Sequence, residues 1–116
     1  MRLFNGPLVQ PEAVVCADDS IAFGVMVAFD ALGIRVPEDV LVVGYHDSAI
    51  ARTTMPRLTS VRAPFERIVS ECLRLLASGP AGGAAETTDA SGGNVRAPRV
   101  MLAPQLIVRD SSVFRR

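Results

Sequence analysis

The fold of this chain can be predicted from residues 13–48, AVVCADDSIAFGVMVAFDALGIRVPEDVLVVGYHDS. This stretch begins with a short aliphatic run at residues 13–16, and the apolar residues that follow change to helical spacing. We expect a helix with Asp18 or Asp19 at its N-cap and Gly33 just after its last turn. The residues predicted to share its apolar face are Ile21, Val25, Ala28, Phe29 and Leu32.

Residues 40–44 are apolar without alternation, which indicates a strand covered on both faces and therefore a parallel sheet. The two strands and the helix between them form a βαβ unit. Its right-handed crossover places the strands side by side, with both carboxyl ends at one edge. We therefore expect Asp18 and His46 at that edge, where open α/β sheets bind ligands.

The rest of the chain supplies fewer strands than such a sheet needs. Residues 64–77 predict a helix, and residues 106–108 predict a third parallel strand. The apolar stripe of the predicted helix consists of Phe65, Ile68, Val69, Cys72, Leu73 and Leu76. Because both faces of a parallel sheet must be covered, we expect a piece of something larger, either truncated or completed by a partner surface.

The composition excludes several classes of protein. All 12 basic residues are arginine, and 12 residues are acidic, so the net charge is zero. The chain therefore has no net positive potential that would attract nucleic acid or an acidic membrane by electrostatics alone. A chain without lysine has no Schiff-base or P-loop lysine. Cys16 and Cys72 match no metal spacing and are expected to be buried, reduced thiols. With no secretory signal or membrane span visible, we expect a cytoplasmic protein.

Two short motifs admit a chemical as well as a structural interpretation. Asp18 and Asp19 resemble the acidic pair that holds Mg²⁺ in response-regulator receivers, but that site also uses a lysine, and a helix N-cap explains them equally well. His46 and Asp47 could act as a general base and its orienting carboxylate, although no nucleophile motif accompanies them. We expect no metal site and no cofactor. The tail, residues 109–116, is expected to be a frayed, solvated terminus.

Three motifs follow one another in a recognisable order: residues 13–48, LTSVRAP at residues 58–64 and VMLAPQLIVRDSS at residues 100–112. Together they resemble the carboxyl-terminal part of the effector domain in the LacI/GalR family of bacterial transcription regulators. The resemblance implies an α/β, periplasmic-binding-protein-like (type I) fold, present in part, with a parallel sheet and flanking helices. In that fold two lobes close on a sugar or a related small molecule.

The resemblance also implies a division of the chain. Residues 1–58 and 98–112 would form the carboxyl-terminal lobe, residues 59–78 a crossover and a helix of the other lobe, and residues 79–97 a flexible loop. The helix-turn-helix headpiece of the family is absent from this chain, so DNA would be bound only by the intact protein.

Three ligand-binding positions carry over from the family, and each has changed its residue. Asp18, His46 and Ala63 stand where sugar-binding members commonly have Asn, Asp and Gln. A carboxylate accepts two hydrogen bonds, whereas a neutral histidine offers one donor and one acceptor. The changes therefore disfavour a simple sugar bound in the usual way, and Asp18 facing His46 favours a different or an anionic ligand.

By the same resemblance, a dimer would form through the first helix and the loop after the second strand. The residues that this implies are Phe23, Val27, Thr54 and Met55. We expect the chain to be the ligand-sensing and dimerisation segment of a truncated LacI-type regulator, without enzymatic activity. Two alternatives stay open, a solute-binding protein of the same fold and a small α/β enzyme that uses His46 and Asp47.

Overall fold

The computed structural model describes residues 11–78 and 99–114, and it confirms the βαβ unit. Strand β1 (Ala13–Val15), helix α1 (Asp19–Ala31) and strand β2 (Leu41–Tyr45) follow one another, and the two strands pair in parallel. Asp18 is the N-cap of α1, and its Oδ1 accepts the backbone N–H of Ser20 at 2.6 Å. Gly33 follows the helix with a φ of 71°, a conformation that glycine adopts without steric cost.

The described residues form a four-stranded mixed sheet in the order β1-β2-β3-β4. Strand β3 (Thr59–Arg62) is parallel to β2, and strand β4 (Gln105–Ile107) is antiparallel to β3. A short helix α2 (Ala49–Thr53) connects β2 to β3, and a 3-10 turn at Asp110–Ser112 follows β4. The fold is thus α/β, with helices beside a largely parallel sheet.

Two strand predictions need correction. Residues 59–62 do not leave the sheet as a crossover, because they pair with β2 and form its third parallel strand. The strand predicted to be parallel at residues 106–108 spans residues 105–107 and pairs antiparallel with β3 at the edge of the sheet. Pro104 precedes it, and an edge strand tolerates the missing N–H of proline.

The buried face of α1 also differs from the predicted one. The helix buries Ala22, Met26 and Phe29, whereas Ile21 and Leu32 are exposed. The helix is apolar nearly all round, so its composition alone did not fix which stripe faces the sheet. The side chain of Phe29 packs in a core cluster with Cys16, Ala22, Met26, Val40, Val42, Ala51 and Leu58.

The chain divides into two compact units. Of the described residues, 11–63 and 104–114 belong to one, and 64–78 and 99–103 belong to the other. The second unit contains helix α3 (Phe65–Ser78), in which no described residue is buried and Cys72 is exposed, contrary to the expected buried thiol. Neither α3 nor any other described helix is long and apolar enough to cross a membrane. The predicted loop at residues 79–97 lies outside the described residues.

Candidate functional site

The carboxyl ends of β1, β2 and β3 meet at one edge of the sheet, because the three strands are parallel. Asp18 follows β1, His46 follows β2 and Ala63 follows β3. The Nε2 of His46 lies 3.7 Å from Oδ2 of Asp18, and the backbone N–H of His46 donates to the carbonyl oxygen of Val61 at 2.8 Å. The structure therefore brings Asp18 and His46 together, as predicted, with Ala63 at the end of the adjoining strand.

Asp18 uses its two carboxylate oxygens in different ways. One caps α1 through Ser20, and the other faces His46. The hydrogen bond from the backbone N–H of Ser20 is the main cause that holds the pKa of Asp18 below its ordinary value of 3.8. At neutral pH the edge therefore presents an ionised acceptor beside an imidazole.

Asp19, the other member of the acidic pair, is directed away from this edge into the protein. It is buried and accepts the hydroxyl of Ser60 at 2.6 Å and the backbone N–H of Ser48 at 2.7 Å. The two carboxylates thus point to different environments, which does not fit a shared metal ion. Within residues 11–78 and 99–114, no group of three or more His, Cys, Asp or Glu residues could hold a metal ion.

The backbone turns sharply where the candidate edge begins. His46 and Asp47 both have positive φ, 97° and 51° respectively, which is uncommon for residues other than glycine. The ring of Tyr45 meets that of His46 edge to face, with centroids 5.0 Å apart. The turn sends two adjacent side chains to different places, since His46 is exposed and Asp47 is buried.

The carboxylate of Asp47 is held by arginines. Its Oδ2 accepts Nε of Arg62 at 2.7 Å and a second bond from the same guanidinium, and Oδ1 accepts Nη2 of Arg109. Arg52 approaches Oδ2 at 3.4 Å. Burial raises the pKa of Asp47, but the hydrogen bonds from Arg109 and Arg62 outweigh it and leave the pKa below 3.8. Asp47 is therefore an ionised, arginine-bound group rather than an orienting partner of His46.

Residues 109–112 are part of this arrangement, which corrects the predicted frayed tail for that stretch; residues 115 and 116 lie outside the described residues. Ser111 is fully buried, donates to the carbonyl oxygen of Val42 at 2.6 Å and accepts the backbone N–H of Thr59 at 2.8 Å. Arg109 donates through Nη1 to the carbonyl oxygen of Leu58 at 2.8 Å. Neither residue is identifiable from the sequence, because their partners lie 50 or more positions away and no local pattern marks them.

Comparison with known proteins places the chain in a family. Residues 2–112 match the family described as a periplasmic binding protein-like domain. The chain belongs to this family. The HTH-type transcriptional regulator YvdE of Bacillus subtilis (strain 168) is 38% identical over 102 residues, which are 87% of this chain and 29% of YvdE.

Solved structures agree with this assignment. The transcriptional regulator CelR in its cellobiose complex matches with a TM-score of 0.70 at 39% identity, over 87% of this chain and 28% of its own. The lac repressor dimer bound to operator and the anti-inducer ONPF matches with a TM-score of 0.68 at 28% identity, over 90% of this chain and 32% of its own. The resemblance to LacI-type regulators is thereby confirmed, and the chain spans less than a third of the length of each of these relatives.

The residues that the family resemblance assigns to a dimer interface surround a groove of about 490 Å³ beside α1. Phe23, Val27 and Met55 line it and are exposed. Thr54 also lines the groove but is buried, and it is the C-cap of α2, where its backbone N–H donates to the carbonyl oxygen of Ile50. Of the four predicted residues, Thr54 therefore offers a partner little surface.

Proposed function

We propose that this chain is the effector-sensing part of a LacI-type transcription regulator and binds a small, sugar-like molecule at the carboxyl edge of β1, β2 and β3. The observation that carries the proposal is the convergence of Asp18 and His46, 3.7 Å apart, at that edge beside the end of β3. CelR, a relative with the same fold, was solved with cellobiose. The transcription regulators among the relatives favour a sensor over an enzyme.

The side chains at the edge restrict the ligand. Oδ2 of Asp18 accepts hydrogen bonds, so the ligand must present a donor such as a hydroxyl to it. His46 can donate to or accept from a second group, depending on its protonation. Ala63 leaves space where sugar-binding family members commonly have a glutamine. We therefore propose a sugar or a sugar acid that carries a hydroxyl towards Asp18 and a hydroxyl or carboxylate towards His46.

Replacing His46 with alanine is expected to weaken ligand binding roughly tenfold or more, because it removes one or two hydrogen bonds worth about 1 kcal/mol each. Isothermal titration calorimetry with a panel that includes cellobiose, sucrose and hexuronic acids measures the effect. Glu12→Ala, at an exposed position directly before β1 and at the opposite end of that strand from Asp18, serves as the control and should leave every affinity unchanged. An unchanged affinity in His46→Ala for each ligand that binds would contradict the proposed site.

We also propose that the intact regulator dimerises through the groove beside α1 and contacts DNA through a headpiece outside this chain. The groove is lined by exposed apolar side chains, Phe23, Val27 and Met55, and also by the ionisable side chains of Arg35 and Glu38. An apolar centre with a polar rim is the usual composition of a specific protein interface. The lac repressor, a relative with this fold, was solved as a dimer on its operator.

Replacing Val27 with arginine is expected to raise the dissociation constant of the dimer by more than roughly tenfold, because a desolvated charge would lie in an apolar contact. Sedimentation velocity over a range of concentrations measures this change. Val108→Arg provides a matched control, since Val108 is 58% exposed against 53% for Val27 and lies away from the groove. A dimer that persists in Val27→Arg, or that dissociates equally in both variants, would contradict the proposed interface.

A further inference from the structure

The three residues at the carboxyl edge share a feature of sequence: each has a direct neighbour in one polar network, of which Asp19, Ser60 and Asp47 are buried. Asp19 follows Asp18, Asp47 follows His46 and Arg62 precedes Ala63. Asp19 accepts the hydroxyl of Ser60, the same hydroxyl accepts the backbone N–H of Asp47 at 2.9 Å, and Asp47 accepts Arg62. The network thus connects the ends of the three strands through their neighbouring residues. Asp18, His46 and Ala63 are the positions left to face a ligand.

Arg109 closes this network from the carboxyl-terminal segment. Its side chain is 13% exposed, compared with 46% for Arg62 and 61% for Arg52, so it is the most buried of the three arginines beside Asp47. Its guanidinium spans two elements, because Nη1 donates to the carbonyl oxygen of Leu58 at 2.8 Å and Nη2 donates to Oδ1 of Asp47. Its backbone N–H donates to the hydroxyl of Thr59 at 2.8 Å, which fixes the segment itself.

The backbone that Arg109 restrains is a strained one. His46 and Asp47 have consecutive positive φ angles, and neither is glycine, so surrounding contacts must hold this conformation in place. Asp47 contacts Ser60 through its N–H and Arg62 and Arg109 through its carboxylate, while Arg52 approaches its Oδ2 and its carbonyl oxygen at 3.4 Å each. If those contacts are lost, we expect the backbone at His46 and Asp47 to leave its positive φ angles, so that the imidazole is no longer directed towards Asp18.

We propose that Arg109 is a positioning residue, which acts through Asp47 to fix the left-handed turn at His46 and so sets the direction of the imidazole at the carboxyl edge. This inference rests on the proposed function only in taking His46 as a ligand contact. Its test needs no ligand, because His46 is the single histidine of the chain and its imidazole signals in an NMR spectrum are unambiguous.

The test compares the imidazole ¹H–¹³C cross-peaks of His46 in the wild-type chain, in Arg109→Gln and in Ser111→Ala. Ser111 anchors the same segment through Val42 and Thr59 without touching Asp47. If Arg109 positions His46, Arg109→Gln shifts or broadens the cross-peaks and speeds exchange of the His46 amide by roughly tenfold or more, since the bond to Val61 loosens. Ser111→Ala lowers stability but leaves the imidazole cross-peaks in place.

Three results would overturn the inference. In the first, the His46 cross-peaks of Arg109→Gln coincide with those of the wild type while circular dichroism shows that both are folded. In the second, Ser111→Ala shifts the His46 cross-peaks as much as Arg109→Gln does, which would mean that Arg109 has a merely structural role. Where Arg109→Gln does not fold, Arg109→Lys replaces it, because lysine keeps the charge but cannot donate to Leu58 and Asp47 together in the fork of arginine. Arg109→Lys should give intermediate shifts, and wild-type cross-peaks in that variant would equally overturn the inference. If the NMR test contradicts the role of Arg109 while His46→Ala still weakens ligand binding, the proposed function is unaffected.

Discussion

Replacing Asp47 with alanine is expected to lower the free energy of unfolding by about 3 to 5 kcal/mol, the usual effect of removing one partner from a buried ion pair. The substitution deprives Arg62 and Arg109 of the carboxylate that both bind. Most of the expected loss comes from Arg109, because its side chain is largely buried and its charge would remain uncompensated. Urea denaturation followed by circular dichroism at neutral pH measures the change.

Asp39→Ala is the matched control for this prediction. Asp39 also accepts two bonds from one guanidinium, that of Arg35, but both side chains are substantially exposed. Solvent screens an exposed pair of this kind, so it contributes little to stability, although its bonds lower the pKa of Asp39 to about 2. Equal losses of stability in Asp39→Ala and Asp47→Ala would contradict the structural role assigned to the buried cluster.

Acid provides a second test of the same cluster. The pKa of Asp47 is lower in the folded chain than its ordinary value of 3.8, so the unfolded chain takes up the proton first as the pH falls. The contribution of Asp47 to stability is therefore fully present above about pH 5 and is lost as the pH falls below about 4. The stability of Asp47→Ala should consequently fall less between pH 5 and pH 3 than that of the wild type.

The parts of the fold that the sequence predicts are those determined by neighbouring residues. The N-cap at Asp18, the glycine at the end of α1 and the unbroken apolar run of β2 are local signals, and the structure confirms all three. The edge where Asp18 and His46 meet follows from the parallel pairing of β1 and β2, which the βαβ pattern dictates. The family resemblance added Ala63, whose own side chain carries no chemical signal.

The parts that the sequence does not predict depend on contacts between distant positions. Thr59 and Ser60 fall in the stretch expected to be a crossover, yet both are buried in β3, and their hydroxyls bind Arg109 and Asp19. Asp47 looks like a partner for the adjacent His46, yet its carboxylate binds an arginine 62 positions away. Neither periodicity nor composition encodes such pairs, so the polar network could be seen only in three dimensions.

Gly44→Ala is expected to destabilise the chain by roughly 2 to 5 kcal/mol, although it adds a single methyl group. A Cβ at this position of β2 would overlap with Oδ1 of Asp19 and would lie 2.9 Å from Cδ2 of Leu58. Both neighbours are buried, so neither can move into solvent. Moving Asp19 would also break its bonds to Ser60 and Ser48 and leave buried polar groups without partners.

Gly24→Ala, the same chemical change in the middle of α1, should have the opposite effect. A Cβ there meets nothing within 4 Å, and alanine in a helix is favoured over glycine by about 0.5 to 1 kcal/mol. The mechanism at Gly44 is tested further by a double-mutant cycle with Asp19→Ala, which removes the carboxylate that the new methyl group meets. The cost of Gly44→Ala should be smaller in that background by more than about 0.5 kcal/mol. Additive costs would show that the two residues act independently and that the close approach of Gly44 to Asp19 does not set the requirement for glycine.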